Sequence, residues 1–281
     1  MKGREDEKRW GVSTAEEEMV LPRPKVGLAL GSGGARGLAH IGVLKVIQRE
    51  GIPVDVIAGS SMGSLVGCLY AAELDWEMVE GLAVHLPRKR WLDLTVPRRG
   101  FVRGERVREM IRLLTRGRSL EELPIPMGVV ATDLNRGEQV VFQTGPVDLA
   151  VRASISIPGI FAPVQWQGRT LVDGGVMDRV PVSVVKEMGA EVILAVDVVP
   201  RATTVCIENI FDVIVQTLSV MEREILNQRW VEADVLIHPD LTDISPTAFT
   251  DVEECIRLGE EAARLQIDRI KGLIVERGGA D

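Results

Sequence analysis

Three short runs in this sequence carry residues that could do chemistry together. In Gly59-Ser60-Ser61-Met62-Gly63 a serine stands two residues from a glycine on either side. A sharp strand-to-helix reversal requires that spacing, because no side chain fits two residues before or after the serine, whose hydroxyl is then presented at the tip of the turn. The positive end of the following helix would favour a developing alkoxide by roughly 0.3–1 kcal/mol. The chemistry on offer is nucleophilic attack by Ser61. The structural alternative is a glycine turn with a capping serine.

The second run, Gly31-Ser32-Gly33-Gly34-Ala35-Arg36-Gly37, admits two functional readings. As a dinucleotide fingerprint Gly31-x-Gly33 fits, but Arg36 stands where the third glycine belongs, and the second strand ends without the acidic residue that would hold a ribose. A phosphate-cradling loop of the Gly-Lys-Ser/Thr type fails as well. As an oxyanion hole the run fits better, since adjacent glycine amides at a helix start converge on one point. Each such donor is worth roughly 2.7–4 kcal/mol in a transition state.

A serine nucleophile needs a base, and the chain has His40, His85 and His238 to offer. Only His238 follows the Ser–Asp–His chain order, and it sits before Pro239 at a strand end, where a structural role is the simpler reading. The third run, Asp173-Gly174-Gly175, supplies a carboxylate followed by two glycines that let other backbone approach. An aspartate near its reference pKa of about 3.9 is a weak base, so this role demands a desolvated site. An ordinary Asp-Gly turn is the alternative.

These runs have to be carried by strands and helices. Val26–Leu30 and Val54–Ala58 read as short buried strands, each followed by a glycine-rich turn and a helical pattern, the first of which carries Leu38, Ile41, Val43, Leu44 and Ile47. Two such units predict parallel strands joined by right-handed crossovers. Further strands are expected at 127–132, 139–142, 169–172, 192–196 and 235–237. An amphipathic helix is expected around Val107, Met110, Ile111 and Leu114, a long one from Ile207 to Ile225, and a last one from Val252 to Ile274. Neither a repeat nor a linker divides the chain. The reading is one α/β domain over 25–275, a flexible lead-in over 1–24 and a tail over 276–281.

Composition narrows the classes. With 46% hydrophobic and 26% charged residues the chain is neither collagen-like nor wholly disordered, and its 4% aromatics imply an aliphatic core. The uncharged stretch Val56–Ala72 is interrupted by Gly59, Ser60, Ser61, Gly63 and Ser64, so no membrane span is expected. Cys68, Cys206 and Cys255 are too few and scattered for a disulfide framework or zinc site, and a cytoplasmic location is expected. The net charge of −8 makes nucleic acid a poor partner. Residues 88–118 nevertheless hold eleven Lys/Arg against Asp93, Glu105 and Glu109, with Trp91 and Phe101 among them.

Taken together, Gly31–Leu44, Gly59–Gly63, Arg152–Phe161 and Asp173–Gly175 resemble the patatin-like phospholipase family, and the likeness runs from Lys25 through nearly the whole chain. The resemblance is closest to its small bacterial members. It implies a three-layer α/β/α fold with a mostly parallel central sheet, a Ser–Asp dyad without histidine, and hydrolysis of acyl esters needing neither metal nor cofactor. Carried over by position, Ser61 is the nucleophile and Asp173 the base, while Gly33, Gly34 and the loop around Arg36 form the oxyanion hole. Gly31, Gly37, Gly59, Gly63, Gly174 and Gly175 are the motif glycines. Ser32 departs from the pattern, many members having glycine there.

The expected function is therefore a serine acyl-ester hydrolase of phospholipase A or lysophospholipase type, with a lipid or acyl ester as partner. The basic segment 88–118 is expected to form a cap or a peripheral docking face for an anionic membrane surface, where each charge contributes about 1 kcal/mol. Three alternatives stay open: a histidine-assisted triad, a nucleotide-binding oxidoreductase, and a regulatory or interaction protein that keeps the fold with little physiological catalysis.

Overall fold

Strands apolar at every position need cover on both faces, and Val26–Leu30 (β1) and Val192–Val196 (β7) are buried throughout. The computed structural model describes residues 23–279 apart from 86–92, 94–99, 203, 205–206, 230–232 and 248, and of 226–229 it describes the backbone alone. The lead-in before Arg23, Cys206, Trp91 and most of 88–99 therefore lie outside the described residues. Chain order is β1, α1 (Ala39–Arg49), β2 (Val56–Ser60), α2 (Met62–Ala71), α3 (Trp76–His85), α4 (Glu105–Leu114), β3 (Met127–Asp133) and β4 (Glu138–Phe142). There follow α5 (Val147–Ser154), β5 (Val164–Trp166), β6 (Arg169–Asp173), α6 (Val182–Glu187), β7, α7 (Ile210–Arg229), β8 (Val235–Ile237), α8 (Val252–Arg264) and α9 (Ile267–Gly278).

The strands form one sheet in the order β5-β6-β3-β2-β1-β7-β8, with β4 also on β3. The central pairs are parallel, whereas β4 and β6 run antiparallel to β3 and β5 runs antiparallel to β6. On one face Val26, Leu28, Leu30, Ile57, Met127, Val129 and Leu194 join the core under α1, α2, α5 and α8. On the other, small residues (Ala29, Ala58, Ala195) meet Val182, Val184 and Val185 of α6. The fold is thus the three-layer, mostly parallel α/β/α arrangement expected.

Two close approaches lock α8 onto α1. A Cβ on Gly42 would lie 2.0 Å from the Ile256 carbonyl oxygen, and one on Gly259 would lie 2.1 Å from that of Ala39. No helix among the described residues is long and apolar enough to cross a membrane.

The long helix expected over 207–225 lies at Ile210–Arg229 and several strands differ by a residue or two at an end; three other departures from the expected boundaries have a visible cause. β2 begins at Val56 because Asp55 serves β1 instead: its Oδ2 accepts from the Val26 amide at 2.7 Å and its carboxylate pairs with Arg23. The last helix divides at Leu265-Gln266, a break the hydrophobic spacing does not register because Ile267 and Ile270 continue the buried stripe. Its second half also runs on to Gly278, past the expected tail boundary at 276, where Arg277 pairs with Asp234.

Candidate active site

The register on β3 decides what meets what. Residues 129–133 of β3 pair with β4, so β2 and β6 must both use its opposite edge. There Ser60 ends β2 opposite Val130, and Asp173 ends β6 opposite Ala131. A parallel strand and an antiparallel strand therefore stop end to end, and the residue after the first faces the last residue of the second. Gly174 fits this junction only without a side chain, since its Cβ would lie 2.3 Å from the Val130 carbonyl oxygen and 2.7 Å from Ser60 Oγ.

Ser61 Oγ donates to Asp173 Oδ2 at 2.6 Å across 112 residues of chain. Both side chains are buried, Ser61 at 5% and Asp173 at 4% exposure. Ser61 has φ 52° and ψ −124°, a conformation costly for any residue with a Cβ, by about 1–3 kcal/mol. Its carbonyl accepts from the Ser64 amide at 2.9 Å and from Ser64 Oγ at 2.6 Å, starting α2. Its own amide donates to Ser154 Oγ at 2.8 Å. Gly59 and Gly63 are glycines for the steric reason expected: a Cβ on Gly63 would lie 2.2 Å from the Leu30 carbonyl oxygen, and one on Gly59 2.6 Å from that of Gly63.

Asp173 is fixed from every side. Oδ1 accepts from the Gly175 amide at 2.8 Å, the backbone amide donates to the Ser156 carbonyl at 3.0 Å, and its carbonyl accepts from Thr132 Oγ1 at 2.9 Å. Burial pushes the carboxyl up to about 7, against the downward pull of Ser61 and Gly175. A desolvated aspartate of this kind is a far better base than one in water.

The glycine-rich turn lies between β1 and a short helical turn, Gly34–Leu38. The Gly31 amide is taken by Val196, that of Ser32 by Arg179 and that of Ala35 by Pro246. Among the described residues the amides of Gly33 and Gly34 donate to no backbone acceptor, and no side chain caps the helical turn. Gly34 has φ +57°, and a Cβ there would meet the Pro246 carbonyl oxygen at 2.5 Å; a Cβ on Gly33 would lie 2.4 Å from Val198 Cγ2. Arg36 is buried and donates from Nε to the Ile244 carbonyl at 2.7 Å, tying the turn to the 244–246 segment. Gly37 gives way to Met62, whose Cγ would stand 2.4 Å from its Cβ.

His40 and His238 are engaged elsewhere. His40 is fully buried with Nε2 2.8 Å from the Gly31 carbonyl, and burial lowers it to about 4. His238 sits beyond β8 with Nδ1 2.7 Å from the Asp197 carbonyl, three strand positions from β2, or about 14 Å at the usual spacing. His85 ends α3. Cys68 and Cys255 are buried thiols.

Several neighbours escaped the sequence reading. Ser154, which holds the Ser61 amide, stands inside the 152–161 run that carries the family likeness. Glu222 reaches in from α7: Ser32 Oγ donates to its Oε2 at 3.3 Å, and a Cβ on Gly175 would stand 2.8 Å from Oε1. Burial and the Asp173 charge push Glu222 up to about 8. Next to it the Arg179–Asp197 pair is buried, with Arg179 Nε and Nη1 making no hydrogen bond among the described residues.

The model of patatin-like phospholipases matches residues 28–186, more than half of the chain. Over 175 residues the chain is 43% identical to an NTE family protein of Mycobacterium tuberculosis, covering 62% of this chain and 49% of that one. It is 36% identical over 185 residues to lysophospholipase NTE1 of Scheffersomyces stipitis, covering 64% of this chain and 12% of that one. It therefore spans half or less of the length of these relatives. Among solved structures, VipD from Legionella pneumophila superposes with a TM-score of 0.64 at 15% identity, over 88% of this chain and 67% of that one, a likeness of fold alone. On the family match and the four ordered motifs within one α/β/α frame, this chain belongs to the patatin-like phospholipase family.

Proposed function

We propose that the protein is a serine acyl-ester hydrolase working on lipids through a Ser61–Asp173 dyad. The observation that carries this reading is the 2.6 Å hydrogen bond between two buried side chains at the β2–β6 junction. Asp173 accepts the Ser61 proton as Oγ attacks the ester carbonyl, and the charge formed on the carbonyl oxygen is received by the Gly33 and Gly34 amides. Collapse breaks the ester C–O bond, the departing alkoxide takes the proton from Asp173, and an acyl group is left on Ser61. Asp173 then removes a proton from water, whose oxygen attacks the acyl carbonyl; the acid leaves and Ser61 regains its hydrogen. Neither metal nor cofactor enters these steps.

The family and the lysophospholipase named among the relatives support a phospholipid or lysophospholipid as the acyl donor. The basic segment supports a docking role towards an anionic membrane surface. Arg103, Arg106, Arg112 and Arg116 are exposed on α4 and just before and after it. The segment also borders the site, since Phe101 and Val102 bond to Ile160 and Arg152 reaches the carbonyls of Arg103 and Ala162. The test is product analysis on a defined panel of phospholipids, lysophospholipids and neutral glycerides, wild type against Ser61→Ala. Release of fatty acid by the wild type alone is expected. Release at an equal rate by Ser61→Ala would refute the reading.

A further inference from the structure

Glu222 is a carboxyl that none of the steps above uses, yet it reaches the turns on both sides of the dyad. Ser32 Oγ donates to its Oε2 at 3.3 Å. Its Oε1 lies over Gly175, where an added Cβ would stand 2.8 Å from that oxygen, 2.7 Å from Ser32 Oγ and 3.0 Å from Ser32 Cβ. Gly175 is the residue whose amide holds Asp173 Oδ1, and Ser32 is the residue before the first oxyanion amide. One side chain of α7 therefore meets the mounting of the base and the mounting of the hole at once. Glu222 stands outside residues 28–186, over which the family model matches.

The glycine-rich turn needs such a fixing point. Backbone bonds anchor it at Gly31, Ser32 and Ala35, and among the described residues the amides of Gly33 and Gly34 donate to no backbone acceptor. Neither glycine has a side chain to pack, so the direction of these two amides depends on how Ser32 and Ala35 are held. Ser32 is buried, and its hydroxyl is taken by Glu222. A carboxyl suits the place, because burial and the Asp173 charge push it up to about 8 and leave it uncharged at neutral pH. The charged groups around it are Asp173 at the end of β6, Arg179 between β6 and α6, and Asp197 after β7, with Arg223 and Glu224 next to it on α7. Uncharged, it adds no negative charge beside the forming oxyanion, and its carbonyl oxygen still accepts from Ser32. We propose that Glu222 is a positioning residue for the hydrolytic reaction, bonding Ser32 so that the Gly33 and Gly34 amides keep their aim while its other oxygen backs the turn that carries Asp173. The assignment rests on the hydrolase reading and extends the site to α7. Misplacing a catalytic group by about 1 Å costs up to about 10²-fold in rate, and losing one of the turn's anchors should cost about tenfold.

The test measures hydrolysis of a dispersed short-chain p-nitrophenyl ester by wild type, Glu222→Ala, Ser32→Ala, the two together and Glu222→Gln. Glu222→Ala and Ser32→Ala should each lower kcat about tenfold with KM within about twofold, and the double variant should be no slower than the slower single one. Glu222→Gln, which keeps an accepting carbonyl and carries no charge, should stay within about threefold of wild type between about pH 6 and about pH 7.5. Affinity for a trifluoromethyl ketone of the same acyl chain, which forms a tetrahedral adduct on Ser61 with its oxygen in the hole, should fall in step with kcat. An unchanged kcat in Ser32→Ala would overturn the proposal, and that variant decides alone if Glu222→Ala does not fold. Losses that multiply to about a hundredfold in the double variant would show the two side chains acting separately and would overturn it as well. So would a loss in Glu222→Gln as large as in Glu222→Ala, or a rise in KM with ketone affinity unchanged. A wild type that releases no acid from the ester and takes no fluorophosphonate at Ser61 is a different failure: the hydrolase reading then falls, and this assignment with it.

Discussion

Replacing Asp173 by asparagine should make the protein inactive and, above neutral pH, more stable. Burial holds the carboxyl at about 7, against 3.8 for a free aspartate. The native state therefore keeps a proton that the unfolded chain releases, and stability from this group is full below about pH 4 and falls as pH rises to about 7. At 1.36 kcal/mol per unit, ionised Asp173 costs the native state about 4 kcal/mol at pH 8. Asparagine keeps the shape and carries no charge. It retains one carbonyl oxygen for either the Ser61 hydroxyl or the Gly175 amide, and losing the other bond costs about 1 kcal/mol. The net expectation is a gain of about 2–3 kcal/mol at pH 8 and a small loss, about 1 kcal/mol, near pH 4. Urea denaturation of both proteins across that range measures it, while ester turnover should fall by about 10²–10⁴-fold. A variant destabilised equally at pH 4 and pH 8 would refute the idea that a desolvated carboxylate is kept at this site at the expense of stability.

Three further outcomes follow from the same geometry. Ser61→Gly should be about 1 kcal/mol more stable than Ser61→Ala, because both lose the hydroxyl while only glycine takes φ 52° without strain; equal denaturation midpoints would contradict a strained turn. The ratio kcat/KM should climb with unit slope up to about pH 7 as Asp173 ionises, and a profile flat from pH 5 to 8 would show that a different group is the base. Reversing Arg106, Arg112 and Arg116 to glutamate should weaken sedimentation with anionic vesicles at low salt while turnover of a dispersed short-chain ester stays the same; undiminished sedimentation would remove the docking role.

The parts of the fold legible in the sequence are those where one residue type is sterically compelled. Gly59, Gly63 and Gly34 stand where a Cβ would strike backbone, so the turns that carry the chemistry were readable before any contact was known. The all-apolar β1 and β7 were readable because a strand covered on both faces has no polar alternation. The meeting of Ser61 with Asp173 was not readable from the residues alone. It depends on β6 taking over the edge of β3 where β2 stops, and a one-residue slip of either strand would turn its side chains to the opposite face. Family likeness supplied the pair; register explains it. Glu222 left no signal, being the first of three consecutive charged residues, Glu222-Arg223-Glu224, in a helix whose polar positions read as an ordinary solvated face. Asp55 gave a misleading one, its apolar neighbours suggesting a strand that its carboxylate in fact precedes.

In the proposed mechanism the hydroxyl of Ser61 is made nucleophilic by Asp173. Treatment with a fluorophosphonate and mass analysis of the digested protein tests it most directly. One adduct is expected, on the peptide bearing Ser61, formed fast in wild type and suppressed in Asp173→Asn. Labelling that spares Ser61, or that proceeds undiminished without the Asp173 carboxylate, would contradict it.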